Sequence, residues 1–410
     1  MAVTAIGRRG ESDGAVIGLV GLAHYMSHVL QLALPPLIPL LHATFGVGYL
    51  ALGLYTTLFY AASGFGQAAA GVLVDRYGAP RLLALGLFTL SSAIVVAGLV
   101  TAYWMLLPLA VIAGLGNSVF HPADLSILSH RVSERRLGRA FAAHGVSGSL
   151  GYATAPLAVL TIAQHANWHV ALIALGSVGL VAAGLVAGNH GLLGYDHTAA
   201  TAHTGTARRS RYVAVIGAPV VLMAFAYFAM TAFAGSGMQN WAVTALSTGY
   251  AFSLGAASKS LSLYLLCAGG GMVLGGFLAE HTQQHHRVAM SGIAAAALMM
   301  LGIAALPLSA ITIAALLAVA GLANGITGPS RDVLVRRAAA GVGTGSVFGF
   351  VYSGFDLGSA TAPVLGGLLD RNLPQAVFLA IACAFALAVP TVMQVRQQIR
   401  AGAERPAEAD

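Results

Sequence analysis

His24, His28 and Gln31 recur at i, i+4 and i+7 along one apolar stretch and so share a single helical face. Asn117, His121 and Asp124 repeat that spacing in a second stretch. A polar or charged side chain at mid-bilayer costs roughly 2.5–3.5 kcal/mol on insertion scales, so each one needs a partner or a task. Imidazole titrates near neutral pH and can couple proton movement to binding, which puts His121 first among the candidates. The alternative is a histidine hydrogen-bonded across helices for packing. Pro122 would loosen the helix beside it and free carbonyls for a ligand. His24 and His28 are further ligand or proton candidates, and His144 is another, nearer one end of its run. Tyr227, Thr231, Asn324 and Tyr352 add hydrogen-bonding groups inside other apolar runs. Asp356 follows Tyr352 by four residues and lies deep enough to need a partner or a proton, making it the leading carboxylate for proton coupling.

These residues do not make an enzyme's constellation. No paired catalytic carboxylates with suitable neighbours, no Walker-type loop and no haem or zinc motif can be read, so no cofactor or metal is expected. The histidines of the tract His281-Thr282-Gln283-Gln284-His285-His286, and of the stretch holding His190, His197 and His203, could bind metal, with solvated loop as the alternative.

The elements that position these groups are set by composition and by an internal repeat. Hydrophobic residues make up 58% of the chain and charged ones 8%, and the mean hydropathy is +0.81. A soluble domain carries about 25% charged residues, so this chain is solvated by lipid. A membrane helix needs ~20 apolar residues. Twelve such runs lie near 15–41, 49–74, 82–101, 104–129, 139–164, 168–188, 212–238, 255–279, 288–306, 308–335, 343–369 and 375–395. Gly114-Leu115-Gly116-Asn117 returns 207 positions later as Gly321-Leu322-Ala323-Asn324, and Ala153-Thr154-Ala155-Pro156 returns as Ala360-Thr361-Ala362-Pro363. The chain therefore reads as two copies of one half with six spans each, the construction of many secondary transporters. The 51 glycines suit closely packed membrane helices.

The expected fold is an all-α polytopic membrane protein, with bundles at 1–188 and 212–396, a cytoplasmic linker at 189–211 and a cytoplasmic tail at 397–410. With both termini inside, all of the 20 basic residues except Lys259 and Arg371 fall at cytoplasmic ends or loops. That asymmetry accounts for the net charge of +7 without nucleic acid. The first run is too long for a cleaved signal and serves as its own insertion signal. Cys267 and Cys383 sit inside apolar runs and read as buried, inert thiols.

Between the second and third runs, Gly71-Val72-Leu73-Val74-Asp75-Arg76-Tyr77-Gly78-Ala79-Pro80-Arg81 resembles the major facilitator superfamily signature G-x-L-x-D-R-x-G-x-x-R. The resemblance implies a cytoplasmic gate in which Asp75 caps a neighbouring helix and Arg76 and Arg81 bridge to other helices, with Arg139 nearby. The second half keeps Glu280 at the Asp position but has His281 in place of Arg, which implies a weaker gate there. It also implies that helices 1, 4, 7 and 10 line a cavity while 3, 6, 9 and 12, whose interiors carry no charge, face lipid. A monomer is the superfamily's default. Two stretches narrow the likeness to the fosmidomycin-resistance branch of bacterial exporters: His24-Tyr25-Met26-Ser27-His28 running to Leu34-Pro35-Pro36-Leu37-Ile38-Pro39-Leu40, and Gly116-Asn117-Ser118-Val119-Phe120-His121-Pro122.

Asp124 and Arg331 hold matching positions in the two halves, and opposite charges there could form a breakable gate. The alternative is local bracing, Asp124 with Arg139 or Arg76 and Asp332 with Arg336. The function read from these features is proton-coupled transport of a small polar or anionic molecule across the bacterial inner membrane by alternating access, as an exporter. Arg331 beside a histidine-rich cavity favours an anion over a greasy cation. Uptake of an organic anion such as a carboxylate is the alternative, and a membrane-embedded enzyme or a non-transporting receptor are more distant ones.

Overall fold

Proline and glycine punctuate long Ala-, Leu- and Val-rich runs, and every element among the described residues is helical. The computed structural model describes residues 2–195, 219–338 and 344–404, with side chains described there except at 2–12, 68, 335–338, 344–349, 396 and 398–404. The first half contains α1 (Ala2–Gln31), α2 (Ile38–Phe45), α3 (Tyr49–Tyr77), α4 (Ala79–Ala97), α5 (Leu106–Asn117), α6 (Phe120–Arg131), α7 (Glu134–His165), α8 (Trp168–Gly188) and the short α9 (His190–Leu193). The second contains α10 (Pro219–Gly249), α11 (Leu254–His281), α12 (His285–Ala305), α13 (Ala310–Ala338), α14 (Thr344–Thr361), α15 (Gly366–Asp370) and α16 (Pro374–Glu404).

Ten helical segments among the described residues are long and apolar enough to cross a membrane, and α3, taken as one bent span, makes an eleventh. The run expected near 343–369 folds as α14, a 3-10 turn and α15, and is not among those spans. Large apolar side chains such as Phe65 and Ile311 are exposed by 83% and 84%. Such surface requires an apolar solvent. Cys383, expected to be buried, is exposed, and Cys267 is half-buried. On a membrane helix the outward face is as apolar as the core, so an apolar run does not reveal which side is covered.

Several boundaries differ from the sequence expectation for local reasons. The first span runs from Asp13 to Phe45 and is broken after α1, because Pro35 and Pro36 lack the N–H groups that continuous helix requires. The expected span 104–129 divides into α5 and α6 at Ser118–Val119, four and three residues before Pro122, whose ring displaces the carbonyl of Ser118. Helix α10 extends to Gly249, well past the expected 238. Its polar residues bond back to the helix itself: Asn240 Nδ2 donates to the Ser236 carbonyl at 2.7 Å and Thr248 Oγ1 to the Thr244 carbonyl at 2.8 Å. Of the expected linker, residues 196–211, including His197, His203, Arg208, Arg209 and Arg211, lie outside the described residues, as does the tail after 404.

The chain divides into two compact units, Met1–Thr201 with Ser253–Ser262, and Ala202–Phe252 with Leu263–Asp410. In the first unit α1 packs on α7, α3 on α5, and α4 on α5 and α8. In the second α10 packs on α14 and α16, and α12 on α13 and α16. Glycines at matching positions set the close approaches. A Cβ on Gly114 would strike the Phe59 carbonyl, and one on Gly321 the Tyr264 carbonyl. Likewise Gly151 abuts the Tyr25 carbonyl and Gly358 the Ala229 carbonyl. The repeat read from sequence is thus repeated in the packing, because small residues at the same register let the same backbones touch.

Candidate functional site

The polar face of α1 meets α6 and α7 inside the first unit. Asp124, on α6, is fully buried, and both His24 and His144 are nearly so. His144 Nε2 on α7 donates to Asp124 Oδ2 at 3.1 Å, and His24 Nδ1 lies 3.2 Å from the same oxygen. The two imidazoles stack with ring centroids 3.6 Å apart and planes inclined by 23°. Room for them comes from Gly148: a Cβ there would fall within 2.9 Å of atoms of both His24 and His28. His28 sits 4.4 Å, ring to ring, from His24 and 4.1 Å from Tyr152. Tyr152 Oη donates to Gln31 Oε1 at 2.7 Å. His121 is exposed, with its ring centroid 5.5 Å from His24 and 6.2 Å from His144.

Of the sequence candidates, the first unit therefore brings together His24, His28, His121 and Asp124, with Gln31 attached through Tyr152. Asn117 does not join them. Asn117 Nδ2, at the end of α5, donates to Ser63 Oγ on α3 at 3.0 Å. Asp124 pairs with neither Arg139 nor Arg76, the partners offered by the local-bracing expectation; histidines take that place. The membership of His144 and Tyr152 was the less legible part. Gly148 and Gly151, four residues after His144 and one before Tyr152, were the available signal of a close helix contact there.

In the second unit, Arg331 on α13 carries the site. Its Nε donates to Asp332 Oδ1 at 2.9 Å; the side chain of Arg336, the partner expected for Asp332, lies outside the described residues. The guanidinium carbon lies 4.5 Å from the Phe228 ring centroid and 5.8 Å from that of Phe355. Tyr352 Oη donates to the same Asp332 oxygen at 3.3 Å, and its ring packs 4.9 Å from Phe228. Arg331 and the buried Tyr227 line a small cavity with Ala224, Ala289, Leu334 and Val392. Thr231 Oγ1 turns back to the Tyr227 carbonyl at 2.9 Å, and the Asn324 carbonyl accepts from Thr327 Oγ1 at 2.6 Å. Asp356, on α14, is half-buried and makes no hydrogen bond or ion pair among the described residues.

The signature segment forms the turn from α3 to α4. Gly78 takes φ +92°, a conformation open chiefly to glycine, and its N–H closes α3 on the Val74 carbonyl at 2.9 Å. Asp75, Arg76, Arg81 and Arg139 are exposed. None makes an ion pair among the described residues, and no side chain caps α4, so the contacts implied for them are not formed there. Arg76 instead lies over the Tyr77 ring at 5.3 Å. A buried carboxylate that sequence reading passed over, Asp13, does serve a helix start: its Oδ2 accepts from Ser133 Oγ at 2.7 Å at the head of α7.

The family profile described as Major Facilitator Superfamily matches residues 17–339 and 229–409. The chain belongs to the Major Facilitator Superfamily. That membership places it among multi-pass membrane transporters and not among enzymes. The fosmidomycin resistance protein of Escherichia coli (strain K12) is 31% identical over 165 residues, 40% of either chain. The uncharacterized MFS-type transporter YfnC of Bacillus subtilis (strain 168) is 26% identical over 172 residues, 42% of this chain and 40% of the relative. The matched stretch thus spans less than half the length of these curated relatives. Among solved structures, a bacterial homologue of the human lysosomal transporter Spinster, inward-facing and unoccupied, superposes with a TM-score of 0.77 at 14% identity, covering 97% of this chain and 99% of that one. A mutant of the nucleoside transporter NupG gives 0.76 at 15% identity, over 93% and 99%. These likenesses establish the superfamily fold.

Proposed function

We propose that this superfamily member is a proton-coupled exporter of a small polar or anionic molecule, working by alternating access as a monomer in the bacterial inner membrane with both termini cytoplasmic. The bundles are those expected at 1–188 and 212–396. The observation that carries the substrate class is Arg331: a guanidinium in a membrane span, laid on the Phe228 ring and neutralised by one carboxylate that Tyr352 shares. Arginine is suited to bidentate capture of carboxylate, phosphate or phosphonate groups. His121, His24, His28, Gln31, Tyr227, Thr231 and Asn324 supply further polar contacts in this reading. Asp356 is the proton carrier, supported by its place in α14 without a partner among the described residues. Export is supported by the E. coli fosmidomycin resistance protein, whose name states the phenotype.

The test expresses the full chain in a fosmidomycin-sensitive bacterium lacking its own exporters, beside an Asp356→Asn variant of equal membrane abundance. Tolerance should rise at least several-fold with the native protein and return to background with the variant. Unchanged tolerance with confirmed membrane expression would reject the phosphonate reading. A substrate-gradient flux assay in vesicles then reads direction, and net inward movement would favour uptake of an organic anion.

A further inference from the structure

We propose that His24, Asp124 and His144 form a binding site for a divalent transition-metal ion of the Zn²⁺ class, buried in the first unit. One ligand atom from each residue lies within 4.8 Å of the other two, and all three residues are buried. Two imidazoles and one carboxylate are a donor set that suits Zn²⁺, Co²⁺ or Ni²⁺ and not the oxygen-seeking Mg²⁺ or Ca²⁺.

The spacing fits. With metal–nitrogen and metal–oxygen bonds of about 2.0–2.1 Å, the edge of a tetrahedron is about 3.3–3.4 Å. The two nitrogen-to-carboxylate distances are 3.2 Å and 3.1 Å, slightly shorter than that edge. The two stacked rings would also have to turn so that both nitrogens point at the ion.

Hydrogen bonding alone leaves the cluster incomplete. Both nitrogens approach Asp124 Oδ2, while the buried Oδ1 has no hydrogen-bond partner. His24 Nδ1, despite its 3.2 Å approach, also has no hydrogen-bond partner. Both of these atoms belong to residues of the cluster whose donor atoms already lie close together. An ion would satisfy His24 Nδ1 directly and could engage Asp124 Oδ1 by bidentate coordination. The fourth position is left for water or for His121, whose exposed ring flanks both histidines.

The test uses the full-length protein in detergent, stripped with chelator and titrated with Zn²⁺ in competition with a chromophoric chelator. Every sample carries His130→Ala, His165→Ala, His190→Ala and His281→Ala, which removes four exposed histidines as competing ligands. One equivalent of Zn²⁺ should bind, and Co²⁺ in its place should show the visible ligand-field bands of a four-coordinate N/O site. Asp124→Asn and His144→Ala should each weaken binding by at least about tenfold, the range expected on disturbing a metal's ligand environment. His24→Gln and His144→Gln carry the same test if a first variant is too unstable to purify. Absence of a stoichiometric site in the starting protein, or affinity unchanged in the ligand variants, overturns the proposal and leaves a purely hydrogen-bonded cluster. None of these readouts involves transport, so a failed tolerance assay leaves them standing.

Discussion

In the first unit an imidazole from α1 lies against a carboxylate on α6; in the second a phenyl ring from α10 lies against a guanidinium on α13. The pairs occupy equivalent places. Asp124 and Arg331 are 207 residues apart, the offset of the repeated glycines, and His24 and Phe228 are 204 apart, the offset between the Tyr25 and Ala229 carbonyls that those glycines touch. One scaffold thus brings the same two helix positions together twice and fills them with unlike chemistry. A buried carboxylate needs donors: His144 supplies one, and His24 Nδ1 lies 3.2 Å from the same oxygen. A half-buried guanidinium can rest on aromatic faces with one carboxylate beside it. Duplication fixed the helix contact and left side-chain identity to diverge.

The largest effect expected from breaking this comparison is at Asp124. Asp124→Ala removes the group that holds both imidazoles and should lower stability by about 3 kcal/mol, as when one member of a buried polar pair is deleted. Thermal unfolding in detergent measures it, and a change within error would show that the histidines hold together without the carboxylate. Next is the shared scaffold: Gly151→Ala and Gly358→Ala each force a Cβ against a carbonyl of the opposing helix. Each should destabilise by about 2 kcal/mol, an ordinary figure for overpacking. A large loss at one and none at the other would deny that the contacts are equivalent. The smallest effect is Phe228→Leu, which keeps an apolar, though smaller, side chain but removes the ring beneath Arg331. A loss of about 1 kcal/mol is expected from the cation–π contact. Apparent substrate affinity should fall with it if Arg331 is posed by that ring, and an unchanged KM would separate the ring from binding.

Particular residues show how far the sequence could be read. The i, i+4 spacing of His24 and His28 correctly put both on one face, since helical period alone governs that. The same spacing did not reveal that Asn117, just before the turn at Ser118–Val119, donates to Ser63. His144 could be recognised as a polar residue in an apolar run, yet nothing in its own helix indicated that it faces Asp124. The turn at Gly78 was legible from the signature, whereas the absence of ion pairs at Asp75, Arg76 and Arg81 among the described residues was not. Long charged side chains at an exposed turn have many possible partners, and sequence does not choose between them.

By itself the sequence determined the solvent, the repeat and the superfamily: apolar runs of spanning length exclude a water-soluble fold, and matching glycines fix matching close approaches. Tertiary structure alone decided that His24, His144 and Asp124 converge on one oxygen and that Arg331 turns to Asp332 and Phe228. The reason is geometric. Periodicity assigns each side chain to a face of its own helix, but which faces meet, and at what height, depends on the packing of all the helices in a unit at once.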